Sequence, residues 1–212
     1  NNVWETDITT ISTSPTDNVP SVVKDNSKVS STTSTSSGDV VSSYPELPLI
    51  SPPPPTNLLP YQEAVQTLNS ITTPNIAKAV FAVLFAEASK KGQAFSSAGG
   101  FNYAGVQTDV RSGGKAVRWG ASQYITARYV RKDAVRLREF AVFENNKAFL
   151  EFMVNRIIDK RFNGSNGDQW TTTYINKWWS PPKKAEYIKG TTEYNNKLSF
   201  YESSQKRYNQ YA

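Results

Sequence analysis

The sequence contains no histidine and no cysteine among its 212 residues. Without histidine there is no Ser-His-Asp or Cys-His relay and no imidazole general base. Without either residue there is no zinc finger, haem or iron–sulfur site, because those metals take sulfur or imidazole ligands. Disulfides are excluded too, so cysteine usage carries no information about the compartment. Any chemistry must use carboxylates, hydroxyls, amides, Lys or Arg, and we expect no metal and no cofactor.

Long apolar runs are also missing. The longest, Ala79–Ala86, has eight residues, which is too short to cross a bilayer, so no transmembrane segment is expected. No basic stretch precedes an apolar one, so no secretory signal is expected either.

The composition changes at about residue 60. Residues 1–60 hold 21 Ser and Thr and nine of the twelve prolines, but two of the 26 aromatic residues, with two Lys against six acids. Residues 61–212 hold 22 basic and 12 acidic residues, a net charge of +10, with 24 aromatics. This predicts an extended low-complexity arm and Pro-rich linker over 1–60, and a domain over 61–212 that is large enough to bury a core.

The predicted arm has two interpretations. The run Ser30–Ser37 cannot bury enough apolar surface to offset its ordering entropy, and the run Pro52–Pro55 favours a stiff polyproline II spacer. The arm is either a flexible linker or a segment that lies on a partner within a larger assembly.

The domain sequence predicts an α+β fold that is mainly α. Residues 61–70 are typical of a short helix. Thr73 and Pro74 suit the N-cap and first position of a second helix, which we expect to run to about Lys91 and to end at Gly92.

Glu87 lies on the apolar side of this predicted helix. At about 100° per residue it falls within roughly 60° of the aliphatic positions on a helical wheel, which are Ile76, Val80, Val83 and Leu84. Burial and the negative end of the helix dipole both disfavour a charged carboxylate there, which suits a general acid. The alternative is a Glu at the rim of the core that is paired with a Lys or Arg.

The next segments predict a hairpin and a basic helix. Residues 92–120 hold seven of the eleven glycines, and alternation in 103–108 and 116–119 favours two small strands. The charge pattern favours a helix over 122–138 that carries basic residues on a broad face, namely Arg128, Arg131, Lys132, Arg136 and Arg138.

Two blocks in this order resemble the lysozyme-like peptidoglycan hydrolases. The first is Glu87-Ala88-Ser89 at the end of a helix, and the second is Asn102-Tyr103-Ala104-Gly105-Val106-Gln107-Thr108-Asp109. They are most similar to the flagellar-type β-N-acetylglucosaminidases and related lytic enzymes of phage particles. Residues 140–143, 147–158 and 174–194 match further segments of that family. The resemblance implies a lysozyme-like helical domain with a small β-hairpin. Two departures are Lys90-Lys91 after the Glu block, and Phe143 where the family commonly has Tyr.

The resemblance implies cleavage of a glycosidic bond with Glu87 as the acid. Asp109 would activate water or stabilise positive charge, with Glu144 as the runner-up; a turn-forming role for Asp109 is the alternative. In some members of the superfamily the substrate's own groups replace a second carboxylate, and Asp109 would then be dispensable.

Aromatic and amide residues near these blocks are candidates for substrate binding. Flat rings stack on sugars, although most rings of a domain pack in its core; the candidates are Tyr103, Trp119, Phe143 and Trp178, beside Trp179. Asn102 is expected to anchor a loop that shapes the cleft, and Gln107 to contact an N-acetyl group.

Three functions therefore compete. The first is a peptidoglycan-cleaving glucosaminidase, muramidase or lytic transglycosylase, tethered by residues 1–60 to a bacteriophage virion, a secretion machine or the cell envelope. The second is a non-catalytic lysozyme-like structural or glycan-binding module of that assembly. The third and least favoured is nucleic-acid binding through the basic residues of 128–138.

Overall fold

The longest apolar run of the sequence lies in the helix at the centre of the fold, Pro74–Glu87. Its side chains are buried on every side, a pattern that marks a helix inside a core; the buried residues are Ala77, Ala79, Val80, Phe81, Ala82, Val83 and Leu84. Helical segments that precede and follow it in the sequence pack against it.

The structure, a computed structural model, describes residues 47–108, 123–132, 137–158, 166–175 and 189–212, which all belong to one compact unit. The helices are α1 (Tyr61–Ile71), α2 (Pro74–Glu87), α3 (Asn146–Phe152, continued by a π-helical segment, Met153–Ile158), α4 (Gly167–Thr173) and α5 (Thr192–Tyr208). The strands are β1 (Leu49–Ile50), β2 (Leu58–Pro60), β3 (Ser89–Lys91), β4 (Ala94–Ser96), β5 (Ile125–Lys132) and β6 (Leu137–Phe143). The described part is therefore mixed α+β, with about 51% helix and small sheets. None of its helices combines the length and the apolar character that crossing a membrane requires.

The strands form two sheets of three strands each. In the first, β1 pairs parallel with β5, and β5 pairs antiparallel with β6. In the second, β4 lies between β2 and β3 and is antiparallel to both. Each sheet thus takes one strand from the segment that precedes α1.

Residues 47–60, which composition assigns to the arm, are part of the compact unit. Besides the strand pairs of β1 and β2, the Nε of Arg128 donates to the carbonyl of Leu47 at 3.0 Å. The side chain of Asn57 accepts from the backbone N–H of Phe101 at 3.0 Å. Side-chain to backbone hydrogen bonds thus run in both directions between this segment and the rest of the domain, so the domain extends N-terminal to the predicted start at Tyr61.

Three of the predicted helices are present. Helix α1 covers the predicted 61–70, and α2 begins at Pro74 with Thr73 at the N-cap position. The predicted helix over 147–158 corresponds to α3 with its π-helical continuation. In α3 the side chain of Asn145 caps the N-terminus by accepting from the N–H of Ala148 at 2.9 Å.

The predicted end of the second helix is wrong. Helix α2 stops at Glu87 rather than near Lys91, because the chain turns to an extended conformation at Ala88 and enters the β3–β4 hairpin. Gly92, at φ 60°, is the first residue of the two-residue hairpin loop rather than a helix terminus. The strand β4 is fully buried, with Phe95 at its centre, and this burial stabilises the hairpin over a longer helix.

The helix predicted over 122–138 is also wrong, because its described residues form strands β5 and β6. Ile125, Ala127 and Tyr129 are buried at alternate positions, which is the period of a strand that buries one face. Tyr103–Thr108 is not a strand either: Gln107 makes an isolated bridge to Phe140. Residues 116–119, the other predicted strand of that hairpin, lie outside the described residues.

Gly100 and Gly105 offer a matched test of how the loop before β5 packs, because their φ angles are 61° and 63°. A Cβ on Gly100 would lie 3.0 Å from Cγ2 of Val142 and 3.2 Å from Cγ of Pro54, whereas a Cβ on Gly105 would meet nothing within 4 Å. We expect Gly105→Ala to lower the free energy of unfolding by about 1 kcal/mol through backbone strain alone. Gly100→Ala should lower it by about 2–4 kcal/mol, because overpacking adds to that strain. Urea denaturation measures both, and equal losses would contradict the close packing of Gly100.

Candidate active site

Glu87 is the last residue of α2 and is half-buried. Residues 79–84 of α2 are buried in the core, so the helix that carries the Glu87 carboxyl group is firmly held. Its place on the edge of the buried side is the one that the helical wheel predicts, whereas its place as the last residue of the helix is not, because the helix was expected to run to about Lys91.

Tyr174, which directly follows α4, holds the Glu87 carboxylate. Its hydroxyl donates a hydrogen bond to Oε1 of Glu87, and its side chain is buried. Burial, and after it the neighbouring Glu87 charge, raises the pKa of the Tyr174 phenol. The phenol therefore stays protonated and acts as a donor at all physiological pH values.

Trp170 fixes Tyr174 in turn. The two rings are stacked, with centroids 4.8 Å apart and planes 10° apart, and the Trp170 Nε1–H donates to the carbonyl of Ala79 at 3.2 Å. Since Ala79 belongs to α2, the helix that ends in Glu87 also anchors the residues that contact its carboxylate.

Two lysines from different elements lie near Glu87. Lys197 on α5 is half-buried, and its Nζ lies 5.8 Å from the centroid of the Tyr174 ring. Burial lowers the pKa of Lys197, and the charge of Glu87 raises it. Lys90 on β3 is exposed. Partial burial lowers its pKa, and the charge of Glu87 raises it by less. Both ammonium groups therefore interact with the Glu87 carboxylate.

These neighbours act on Glu87 in opposite directions. Partial burial disfavours the charged carboxylate, whereas the Tyr174 hydroxyl and two ammonium groups favour it. The sequence predicts that burial disfavours the charged form of Glu87, and it leaves the identity of a pairing Lys or Arg open. Tyr174 enters the prediction only as the start of a segment that matches the family, and Lys197 is not among the predicted site residues. The i, i+4 spacing of Trp170 and Tyr174, which places both rings on one helical face, is the signal that could have pointed to this pair.

Asn102 anchors the loop that follows β4, as predicted. Its Nδ2 donates to the carbonyls of Val106 at 2.9 Å and Ala141 at 3.0 Å, and its Oδ1 accepts from the N–H of Val106 at 2.9 Å. The side chain closes the loop over 102–106 and ties it to β6. It is buried, so its loss would remove a buried partner from the N–H of Val106 and from the carbonyl of Ala141, whereas the carbonyl of Val106 also accepts from the N–H of Ala141 at 3.0 Å.

Asn102→Ala should lower the free energy of unfolding by about 2–3 kcal/mol, because it leaves buried backbone groups unpaired. Asn102→Asp should cost at least as much at neutral pH, since a carboxylate would face two carbonyl oxygens. Acidification protonates that carboxylate and should restore part of the loss. Thermal melts at pH 4 and pH 7 measure this, and equal stability of wild type and Asn102→Ala would show that the side chain does not hold the loop.

The predicted binding residues Tyr103 and Phe143 are core residues. Tyr103 is 2% exposed and donates to the side chain of Asn146 at 2.6 Å. Phe143 is 1% exposed and packs between Phe149 and Phe152. Neither ring has an exposed face that could stack on a sugar. Both residues therefore pack in the core instead of binding substrate.

Gln107 is also buried and belongs to the sheet region. Its Oε1 accepts from Nη1 of Arg138 at 3.2 Å, so it supports a buried guanidinium. Glu144, the runner-up for a second carboxylate, is exposed immediately after β6. Asp109, Trp119, Trp178 and Trp179 lie outside the described residues.

The described basic residues of 128–138 do not share a helical face, because they lie on β5 and β6. Arg128 pairs with Glu139 at 2.9 Å, and Arg138 is buried against Gln107. Arg131 lies over the ring of Phe140, with its guanidinium carbon 5.1 Å from the centroid. Arg128 and Arg138 thus serve the domain's own packing, which removes the basis for a nucleic-acid-binding helix.

Among the described residues, no group of three or more acidic side chains is placed to hold a metal ion. No family model, no curated protein and no solved structure matches the chain. The functional interpretation therefore depends on the quoted motifs and on the geometry around Glu87.

Proposed function

We propose that this protein is a glycosidase that cleaves peptidoglycan, with Glu87 as its proton donor. The observation that carries the proposal is the placement of Glu87: a half-buried carboxyl group at the end of the central helix, oriented by a buried tyrosine hydroxyl. General acids of glycosidases need such a fixed and partly desolvated carboxyl group.

The chemistry suits the side chains that the sequence contains. Cleavage requires protonation of the leaving oxygen and stabilisation of an oxocarbenium-like centre, and neither step needs histidine, cysteine or a metal. Asp109 or Glu144 would supply a second carboxylate. Alternatively, the N-acetyl or a hydroxyl group of the substrate itself completes the reaction.

The charge and the N-terminal composition suggest the setting. The excess of positive charge in 61–212 favours binding to anionic cell-wall polymers. The Ser- and Thr-rich sequence that precedes Leu47 would tether the domain to a larger assembly, such as a virion or a secretion machine, so that the wall is opened locally. The protein would then act at the virion or in the cell envelope.

The alternative is a lysozyme-like module that has no catalytic activity and binds glycan or only packs within that assembly. One observation favours it: a tyrosine hydroxyl and ammonium groups around Glu87 would equally stabilise a structural carboxylate at the rim of a core. The buried Phe143, in the position where the family commonly has Tyr, agrees with this alternative.

Digestion of purified peptidoglycan by the full-length chain distinguishes the two functions. The products are analysed by mass spectrometry, and Glu87→Gln serves as the control for contaminating hydrolases. New muropeptides from wild type alone support the enzyme. Their end groups identify the cleaved bond and show whether water or an internal hydroxyl was the nucleophile. A folded chain that binds peptidoglycan without releasing products would overturn the proposal and support the non-catalytic module.

A further inference from the structure

We propose that Tyr174 and Lys197 act together as positioning residues for Glu87, the hydroxyl fixing the orientation of the carboxyl group and the ammonium governing whether it keeps its proton. This inference rests on the proposed function of Glu87. It assigns the pH dependence of the reaction to a residue on α5, the last helix of the chain.

Tyr174 is suited to orient the carboxyl group because it cannot move without disturbing the core. Its ring is stacked on Trp170, and Trp170 is fully buried and hydrogen-bonded to α2. A hydroxyl held in this way restricts rotation about the last torsion angle of the Glu87 side chain, which is otherwise broad. The carboxyl group is therefore fixed relative to the helix that carries it.

Lys197 is suited to control the protonation of Glu87 because its ammonium is partly withdrawn from solvent. The Nζ atom lies 5.8 Å from the Tyr174 centroid and 5.5 Å from the Phe200 centroid, within the range of cation–π contacts. A charge between aromatic rings is less screened by water and salt than a surface charge. Its influence on a neighbouring carboxylate is correspondingly larger.

Within the described part of the chain, titratable groups act on Glu87 from three places. Tyr174 follows α4, Lys197 lies on α5, and Lys90 lies on β3. Tyr174 stays protonated, so it contributes a hydrogen bond and no charge. Lys90 is exposed, so we expect solvent to screen its effect and Lys197 to contribute the larger share.

The experiment measures the titration of Glu87 directly, without using activity. The full-length chain is labelled with carbon-13 at the glutamate side-chain carboxyl groups, and its NMR signals are followed against pH. The signal that disappears in Glu87→Gln belongs to Glu87.

We expect Lys197→Met to raise the midpoint of this signal by about one pH unit, which is the effect of removing a nearby cation. Tyr174→Phe, which keeps the stacked ring, should also raise it, and Lys197→Arg should leave it near the wild-type value. Lys90→Met should produce a smaller shift than Lys197→Met. Lys147→Met is the control for a general loss of charge, because Lys147 lies at the start of α3 and pairs with Glu151. An unchanged midpoint in Lys197→Met would overturn the proposal, and so would a shift of equal size in Lys147→Met.

The pH profile of peptidoglycan cleavage provides the second measurement. If Glu87 must carry a proton, Lys197→Met should shift the fall in rate on the alkaline side of the profile to higher pH. The shift should equal, in pH units, the shift of the NMR midpoint. A merely structural role of Lys197 would lower the rate at every pH without moving this limb, and that result would overturn the proposal. Failure of the proposed function is distinguishable, because the wild type would then release no products whatever the NMR titration shows.

Discussion

Replacing Glu87 with Gln is expected to lower the rate of muropeptide release by about a hundredfold to ten-thousandfold, the range for removal of a general acid. The amide keeps the size of the side chain, and its oxygen still accepts the hydrogen bond that the Tyr174 hydroxyl donates to Oε1. The variant should therefore fold like the wild type, so the loss of rate reports on the missing proton. Rates are measured with purified peptidoglycan, and folding is checked by circular dichroism and thermal melting.

Glu202→Gln is the matched control for this variant. Glu202 is exposed on α5, and its replacement removes the same charge from the surface of the domain. We expect its rate to stay within twofold of wild type. Near-normal cleavage by Glu87→Gln would remove Glu87 from the mechanism, even if the protein proves to be a hydrolase.

The rate should also depend on pH in one direction. A general acid is active only in its protonated form, so the rate constant should fall as the pH rises through the titration of Glu87. The charge of Lys197 favours the ionised carboxylate and therefore moves this fall in rate toward lower pH. A rate that increases steadily with pH would instead indicate that the carboxylate acts as a base.

Trp170→Ala is expected to lower the free energy of unfolding by about 3–5 kcal/mol, as for other large-to-small changes of buried aromatic residues. Trp170 has no exposed surface, and it packs against both Tyr174 and Tyr201. The substitution removes these contacts and leaves the carbonyl of Ala79 without its indole donor. Urea denaturation measures the loss.

Trp170→Phe separates the contribution of ring packing from that of the indole hydrogen bond. It keeps an aromatic ring in the cavity and removes the N–H donor, so we expect a loss of about 1 kcal/mol from the missing hydrogen bond to the carbonyl of Ala79, with a further cost for the smaller ring. If Trp170→Ala were as stable as wild type, the indole would not be the support of Tyr174 that its contacts indicate.

Local signals were sufficient to predict α1, α2 and α3, whereas α4 and α5 were not predicted. Helix α2 follows from a Thr-Pro start and an apolar sequence, and its position placed Glu87 at the rim of the core. The segment over 147–158 was likewise predicted as a helix. In each of these regions the sequence pattern and the core contacts favour the same structure.

The errors lie where pairing between distant segments decides the structure. Ser89-Lys90-Lys91 can continue a helix by propensity, but it pairs with β4, which in turn pairs with β2 near residue 60. The charged residues of 122–138 suggested a helix, whereas the alternate burial of Ile125, Ala127 and Tyr129 fits a sheet completed by Leu49–Ile50. A sequence gives no direct sign of such pairing, because β propensity depends on its neighbours.

At the candidate site, the sequence identifies Glu87 but not the residues that contact it. Glu87 was identified because a carboxylate among apolar positions is conspicuous within one helix. Tyr174 is 87 residues away in the sequence and carries no charge, and Lys197 is one of many lysines. The buried positions of Tyr103 and Phe143 could not be distinguished from exposed ones, since aromatic residues serve both cores and sugar-binding surfaces.

The way residues 47–60 join the domain determines how a mechanical load would enter it. Among the described residues, a pull on the N-terminal side first reaches the hydrogen bond between Leu47 and Arg128 and then β1, a strand of two residues. The contact of Pro54 with the Gly99–Gly100 turn and β2, a strand of three residues, follow. These short pairings should peel away one after another, each at a low force. Helix α2, which carries Glu87, begins only at Pro74, so tension on a tethered domain would be absorbed before it distorts the candidate site.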